Sequence, residues 1–417
     1  MVTDPAEPFL AVAGRAMVAQ SPSARRNHMH RLIAPLVRVA VPVLAAASAV
    51  ALGPVAAHAS PTDQGTYGVP GGTALFVQTD DVTANSVIAF RRGPDGSLTR
   101  EATYLTGGRG GVADQAPLDS LASQGSLTYD AGHGLLYAVN AGSDSISVFG
   151  VSGDRLQLRQ VVPSRGQFPV SVTVHGDLVY VLDAGGTGAI AGYRVAGGRL
   201  FAVPGSVASL GLANADPPLF ITAPAQIGFD PQGRHVVVTT KANNTIEVWT
   251  IDHDGRPVHH VSNPSAGAVP FAFSFDDFGN LVVTEAATST VSTYTLRPDG
   301  HVSALTTSVG DGGTALCWTA TARGYVFGAN AGSGTLSSYR TGADGSLTLV
   351  SAVAASTGAG PIDMTTAEGG RLLYVQDAVA GEVQGFRVHH DGSLTLVTTV
   401  TGLPAFDGAG MEGLVAT

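Results

Sequence analysis

Seven apolar stretches of the chain each end in a polar residue of a type that could bind a ligand or transfer a proton. They recur about once every 51 residues, a spacing typical of repeat proteins. These residues are Asp80 or Asp81, Asn140, Asp183, Thr240, Glu285, Asn330 and Asp377. Convergent oxygens of this kind would bind a hard cation such as Ca²⁺ or hold a polar ligand. Asn and Asp also favour turns because they bond the local backbone, so a structural role is the alternative.

Three of these carboxylates, Asp183, Glu285 and Asp377, are our candidates for the catalytic group. A carboxylate that is removed from water has a raised pKa and can act as a general base near neutral pH. Lys241 is the only lysine in the chain and directly follows Thr240. A lone amine beside carboxylates could form an ion pair, anchor the carboxylate of a substrate, or act as a nucleophile if it is desolvated. A solvated surface lysine is the alternative.

Four amides and one arginine join Lys241 as candidates for substrate binding. Gln167 and Gln226 lie near the starts of apolar stretches, and Asn140 and Asn330 end two others. Amides donate and accept hydrogen bonds but transfer no protons, so they would hold a neutral polar ligand. Arg165 lies in a Pro-Ser-Arg-Gly loop, where it would bind an anionic group.

The composition excludes several other classes of function. The 417 residues carry a formal net charge of -10, with 22 Lys and Arg against 32 Asp and Glu. A protein that binds nucleic acid by neutralising phosphates needs a basic face, so we expect no nucleic-acid partner. The single cysteine excludes a disulfide scaffold and a Cys-rich metal site. Apart from Ca²⁺, no cofactor is indicated, because the chain has no Gly-rich phosphate loop between a strand and a helix.

Residues 1–59 are predicted to be a leader. From Met29 the chain has a basic start, an apolar run over 39–52 and the small-residue end Ala57-His58-Ala59. This order is typical of a secretory signal peptide. We therefore expect cleavage after Ala59, an extracellular protein and no membrane segment after cleavage. Starts at Met1 and at Met29 both fit the pattern, and a retained membrane anchor is the alternative.

The remainder of the chain repeats itself seven times. The stretches 136–149, 236–249 and 281–294 each contain two alternating apolar runs joined by a turn rich in Gly, Asn and Ser, which predicts a β-hairpin. A further short strand precedes six of the hairpins. An Asp-Gly turn such as Asp95-Gly96 or Asp344-Gly345 then leads into a last strand. Each repeat is therefore predicted to be a four-stranded antiparallel sheet.

The first repeat lacks its innermost strand, and residues 410–416 at the end of the chain have the pattern of that strand. The C-terminus would then complete the first sheet and close a ring, which removes open sheet edges. We therefore predict an all-β, seven-bladed β-propeller over 74–417, preceded by a lead-in over 60–73. In a propeller, the turns from second to third strands and the loops between blades share one face, the top. No histidine is predicted there, which disfavours a mechanism that depends on histidine.

The repeated pattern is apolar-Tyr-Val-x-Asn/Asp, then Ser/Asn-Thr-Val/Ile-x-Val-Tyr/Phe, then Asp-Gly-Ser-Leu. It resembles the lactonase family of seven-bladed propellers, which includes 6-phosphogluconolactonase-like and carboxymuconate-cyclase-like members, and the resemblance covers 74–417. It implies hydrolysis of a lactone at the top of the central channel. Where the family carries Pro-His-Gly-like and Pro-Arg-His-like stretches, this chain has 167–171 and 224–226, without His or Arg. The family's Asn-Glu pair is replaced by Thr240-Lys241, and its Asp is retained as Asp183.

Two functions are left open at this point. The first is a secreted lactonase-like enzyme that opens a cyclic ester, with Asp183, Glu285 or Asp377 as the base. The second is a non-catalytic secreted propeller that binds a ligand, a cation or a protein partner. The partner would accordingly be a small polar molecule, a lactone or an extracellular protein, and we expect a monomer.

Overall fold

The structure is a computed structural model that describes residues 73–417. The predicted leader over 1–59 and all but the last residue of the lead-in over 60–73 lie outside the described residues. The described part contains strands and one 3₁₀ helix, Ala141–Ser143. None of its helices is long and apolar enough to span a membrane.

Seven antiparallel sheets form the predicted seven-bladed propeller. Blade 1 contains β1 (Ala74–Gln78), β2 (Ser86–Arg92) and β3 (Leu98–Leu105). Blade 2 contains β4 (Leu127–Asp130), β5 (Leu135–Asn140), β6 (Ser145–Ser152) and β7 (Arg155–Pro163). Blade 3 contains β8 (Pro169–His175), β9 (Leu178–Asp183), β10 (Ala189–Ala196), β11 (Arg199–Ala202) and β12 (Ala208–Ser209). Blade 3 alone divides its outer edge between two short strands, β11 and β12, which both pair with β10.

Blades 4 to 7 each have four strands in chain order from the inside outwards. Blade 4 contains β13 (Pro224–Phe229), β14 (His235–Thr240), β15 (Thr245–Ile251) and β16 (Pro257–Pro264), and blade 5 contains β17 (Pro270–Phe275), β18 (Leu281–Glu285), β19 (Thr290–Leu296) and β20 (Val302–Gly310). Blade 6 contains β21 (Leu316–Ala322), β22 (Tyr325–Asn330), β23 (Thr335–Thr341) and β24 (Leu347–Ser356). Blade 7 contains β25 (Pro361–Ala367), β26 (Leu372–Asp377), β27 (Glu382–Val388) and β28 (Leu394–Val400).

The C-terminal strand β29 (Leu414–Ala416) closes the ring, as predicted. It pairs antiparallel with β1, and Phe76 lies opposite Val415. The strand is shorter than the expected 410–416, because Gly413 has a φ of +105° and ends the extended run. A Cβ at Gly413 would lie 2.4 Å from the Ser126 Oγ of blade 2, so this close approach requires glycine.

The repeated tyrosine and the Asp-Gly turn of the sequence pattern meet between neighbouring blades. Tyr374 of blade 7 donates from its hydroxyl to the Gly96 carbonyl of blade 1, at 2.9 Å. Tyr180 of blade 3 donates in the same way to the Gly255 carbonyl of blade 4, at 2.8 Å. These tyrosines lie on second strands, which are buried on both faces because each sheet packs between two others. The sequence repeat therefore encodes the contact between blades as well as the blade itself.

Candidate active site

Two long loops between blades meet above the top face of the propeller. Residues 106–126 connect blade 1 to blade 2, and residues 210–223 connect blade 3 to blade 4. Asp114 forms a parallel bridge with Leu219. The Asp114 N–H donates to the Pro218 carbonyl at 2.8 Å, and the Phe220 N–H donates to the Asp114 carbonyl at 2.9 Å. The two loops thus support each other and cover part of the channel mouth.

Residues 119–124, which we call the plug, cross the channel beneath this cover. Asp119 holds the plug in shape, because its carboxylate accepts the N–H groups of residues 121, 122 and 123. Ser123 donates from its hydroxyl to the Val170 carbonyl of blade 3, and its own carbonyl accepts the Trp318 indole N–H of blade 6. The plug therefore closes the channel from the top. Below it, innermost strands surround a cavity of about 410 Å³.

A pocket of about 70 Å³ remains open on the top face beside the plug. Its walls come from blades 4, 5 and 6 and from the loop over 210–223. They are mostly apolar and are formed by Phe220, Ile221, Val269, Phe271, Ala286, Ala287 and Ala315, together with Ser289 and Thr314. Lys241 and Cys317 complete the lining, and both side chains are almost fully buried.

Lys241 is held in this pocket with few polar partners. Its Nζ donates to the Ala122 carbonyl of the plug at 2.7 Å. The rings of Phe220 and Phe271 flank the amine, each with its centroid 4.9 Å from Nζ. Within residues 73–417, no carboxylate oxygen comes within the 4.0 Å of an ion pair with Nζ. Burial lowers the pKa of Lys241 from 10.5 to about 7, although Asp119, Cys317 and Glu412 act in the opposite direction.

Buried carboxyl groups lie near the amine at the centre of the ring. Burial raises the pKa of Asp119, while the charge of Lys241 and the backbone N–H groups of Ala122 and Leu121 lower it. Burial raises the pKa of Glu412 well above its ordinary value, and the Asp119 charge adds to this effect. Because one carboxylate next to another favours sharing of a proton, we assign the charge of this pair to Asp119 and the proton to Glu412.

Asp80 and the six other polar residues predicted to surround the channel mouth are buried, whereas Asp81, the alternative to Asp80, is exposed. A Cβ on Gly166 would lie 2.5 Å from the Asp183 carboxyl carbon, and one on Gly313 would lie 2.5 Å from the Asn330 side-chain oxygen. Gly108 has the same relation to Asn140, at 2.4 Å. The Asn140, Asp183 and Asn330 side chains therefore lie directly beneath glycine-containing loops, so they do not form part of an open ring of oxygens at the channel mouth.

The three candidate catalytic carboxylates lie on blades 3, 5 and 7, which are not neighbours, and none lines the pocket. Glu285 accepts the Gly267 N–H at 2.8 Å and the hydroxyls of Thr290 and Tyr294. Burial raises the pKa of Asp183 to about 7. Burial, with the nearby Glu382 carboxylate, raises the pKa of Asp377 to about 8. Their catalytic assignment stays a prediction, and the substitutions described below test it for Asp183 and Asp377.

Most of the candidate binding residues are engaged in local structure. Gln226 binds β17, the innermost strand of the neighbouring blade, because its side-chain amide donates to the Phe273 carbonyl and accepts the Phe273 N–H. Gln167 donates to the Asp216 carboxylate at 3.0 Å. Arg165 donates to the Val203 carbonyl at 3.1 Å. Asn140 donates to the Ser147 hydroxyl at 2.8 Å, and Asn330 to the Asp311 carboxylate at 2.8 Å.

Lys241 is thus the one sequence-predicted residue that the structure brings into the pocket. Sequence reasoning missed its surroundings, namely the Phe220 ring, the Asp119 and Glu412 carboxyl groups and the Cys317 thiol. The signal in the sequence that pointed to this site was that Lys241 is the only lysine of the chain. Within residues 73–417, no group of three or more His, Cys, Asp or Glu side chains is arranged to hold a metal ion.

Comparison with known proteins identifies one protein family. The family model described as Lactonase, 7-bladed beta-propeller matches residues 205–319 and 283–413, which together span half of the chain. This match confirms the resemblance inferred from the repeated pattern. A search of curated protein sequences found no match.

Solved structures with the same architecture have low sequence identity to this chain. The periplasmic gluconolactonase of Pseudomonas aeruginosa is 18% identical, with a TM-score of 0.62 over 82% of this chain and 99% of that chain. A Bacteroides fragilis protein provisionally assigned as a 6-phosphogluconolactonase is 17% identical, with a TM-score of 0.64 over 85% and 99%. A Lactobacillus plantarum protein is 16% identical, with a TM-score of 0.63 over 82% and 98%. At these identities, the similarity establishes the fold alone.

Proposed function

The chain belongs to the lactonase family of seven-bladed β-propellers, and from this premise we propose that it hydrolyses small lactones in the pocket that contains Lys241. The observation that carries the proposal is a buried amine in an open apolar pocket, with a pKa of about 7. At neutral pH about half of such amines are unprotonated, which suits a general base. The family's lactone chemistry supports the choice of substrate class.

The reaction would use Lys241 to activate water. The amine takes a proton from a water molecule while the water oxygen bonds to the lactone carbonyl carbon. The tetrahedral intermediate then collapses, the ring C–O bond breaks, and the leaving alkoxide takes the proton from the ammonium. The product is a hydroxy acid, and the amine is regenerated. The negative charge assigned to Asp119 favours the ammonium that forms transiently, because it acts to raise the pKa of Lys241.

The pocket limits the enclosed part of the substrate to a small group. A cavity of about 70 Å³ holds roughly five groups of the size of water. Apolar walls favour a lactone ring without many hydroxyl groups, because buried hydroxyls need hydrogen-bond partners. We therefore propose a short-chain lactone, or one whose longer substituents project towards the loops above. The leader pattern over 1–59 supports extracellular action on such compounds.

The test is a hydrolysis screen on the purified full-length chain. γ-Butyrolactone and δ-valerolactone are the small probes, glucono-δ-lactone is the larger polar probe, and acid release is followed with a pH indicator. We expect turnover of the small probes, with kcat/KM falling about tenfold per pH unit below pH 7 as Lys241 is protonated. We expect Lys241→Met to abolish turnover.

Asp183→Asn and Asp377→Asn are the matched controls, since both remove a buried carboxylate outside the pocket. Turnover lost in Lys241→Met but retained in both controls supports the proposal. Turnover lost in a folded control but retained in Lys241→Met would assign the reaction to the carboxylate instead. A wild-type chain that turns over none of the three lactones overturns the proposal in favour of a propeller that binds ligands without catalysis.

A further inference from the structure

The Lys241 amine has surroundings that suit bond formation to carbon as well as proton transfer. It projects among apolar groups, between two aromatic rings whose centroids each lie 4.9 Å from Nζ. One carbonyl, that of Ala122, accepts a hydrogen bond from it at 2.7 Å. An ammonium carries three N–H donors and is costly to bury with so few acceptors, whereas a neutral amine has a free lone pair.

The charged and titratable groups around the amine do not block it. Asp119, Cys317 and Glu412 are the groups that act on it electrostatically. None of the carboxylates forms an ion pair with it within 4.0 Å in the described part of the chain. Burial raises the pKa of the Cys317 thiol, so this neighbour is a neutral thiol rather than a competing thiolate. The amine is therefore the strongest nucleophile that lines the pocket.

We propose that Lys241 binds small aldehydes and ketones covalently, as an imine, in the pocket between blades 4, 5 and 6. The amine nitrogen attacks the carbonyl carbon, and one N–H proton moves to the oxygen to give a carbinolamine. Loss of that hydroxyl with the second N–H proton releases one water molecule and leaves a C=N bond. No oxidant or reductant is consumed. This reaction uses the amine as a nucleophile, so it goes beyond lactone hydrolysis and does not depend on it.

The pocket also defines which carbonyl compounds fit. Its walls next to the amine are apolar, and the enclosed space of about 70 Å³ corresponds to roughly five water-sized groups. A four-carbon aldehyde or ketone has that size. Charged keto acids are disfavoured, because the negative charge assigned to Asp119 lies near the amine.

The experiment exploits the fact that the chain has a single lysine. The folded full-length protein is incubated at pH 7 with butanal and cyanoborohydride, which reduces the imine to a stable butyl amine, and the modified peptide is identified by mass spectrometry. The N-terminal amine is the internal reference, and the same chain unfolded in urea is the comparison. We expect Lys241 to be butylated at least about tenfold faster in the folded protein, because an exposed lysine is almost entirely ammonium at pH 7.

Ala287→Trp is the control that keeps the amine but covers the pocket, because Ala287 is exposed and lines it. We expect this variant to lose at least about tenfold in the rate of labelling at Lys241, and Ile221→Trp serves if Ala287→Trp does not fold. Folded wild-type protein that is labelled only at its N-terminus overturns the proposal. The proposal is also overturned if Lys241 is labelled at the wild-type rate in the folded tryptophan variant, because the carbonyl compound then reaches the amine by another route. Lactone hydrolysis is measured on the same samples, so failure of imine formation can be distinguished from failure of lactone hydrolysis.

Discussion

Replacing Lys241 with methionine is expected to stabilise the protein, although it removes the proposed catalytic group. The reason is the cost of keeping an ammonium in an apolar pocket. Burial lowers the pKa of Lys241 from 10.5 in a free side chain to about 7 in the folded chain. Folding below pH 10.5 therefore requires either loss of a proton or burial of a charge, and methionine requires neither while filling similar space.

The size of the effect follows from this difference in pKa. At 1.36 kcal/mol per pKa unit, the fall from 10.5 to about 7 corresponds to about 4 kcal/mol at pH 7. Methionine also loses the hydrogen bond to the Ala122 carbonyl, which costs about 1 kcal/mol. The net expected gain in the free energy of unfolding is about 3 kcal/mol at pH 7.

Equilibrium urea unfolding at pH 7, 8 and 9.5 is the assay. The folded-state pKa of Lys241 is lower than its unfolded-state pKa, so its burial costs most at and below pH 7, and the cost disappears as pH rises to 10.5. The advantage of Lys241→Met should thus shrink by about 1.4 kcal/mol per pH unit over this range. Arg165→Met is the matched control, since Arg165 is an exposed cation of the top face. It should show no such pH-dependent gain.

A Lys241→Met variant that is less stable than wild type at pH 7 would refute this reasoning. Lys241 would then be an ammonium held by the negative charge of Asp119 and by Glu412, and its removal would leave a buried carboxylate without a countercharge. Both proposed activities of the amine would fail with it, because each requires the unprotonated form.

Two further predictions concern the frame of the propeller. Burial of the Asp377 carboxyl should cost no stability below its ordinary pKa of 3.8, and the cost should grow as pH rises to the folded-state pKa of about 8. Asp377→Asn should remove this cost, so its stability relative to wild type should rise over this range and exceed that of wild type by about 2–4 kcal/mol at pH 8 in urea titrations; a difference between the two proteins that does not change with pH would contradict the assignment. Deleting residues 414–417 removes β29 and the buried Leu414 side chain. We expect the free energy of unfolding to fall by at least about 2 kcal/mol in urea titrations, and we expect the chain to associate through the open edge of β1, which size-exclusion chromatography would detect. A monomer of wild-type stability would show that ring closure is dispensable.

The fold could be predicted because its information is local and repeated. Alternating apolar residues specify each strand, and an Asp-Gly turn such as Asp95-Gly96 specifies where the last strand of a blade begins, since Gly96 has a φ of +94°. Ring closure could be predicted because the first repeat lacks an innermost strand and the C-terminal residues have the local pattern of that strand. The split outer edge of blade 3 followed no repeated signal and was not predicted.

The candidate site depended on contacts that have no period in the sequence. The amine of Lys241 lies against Ala122, which is 119 residues away, and Trp318 binds the plug across 195 residues. Composition and spacing alone determined that this chain has seven blades, a closed ring and one lysine after the second strand of blade 4. Only the tertiary structure decided that this lysine is buried in a pocket while Asp183 supports a loop, because long loops without repeats cover the top face and determine which polar groups lose water.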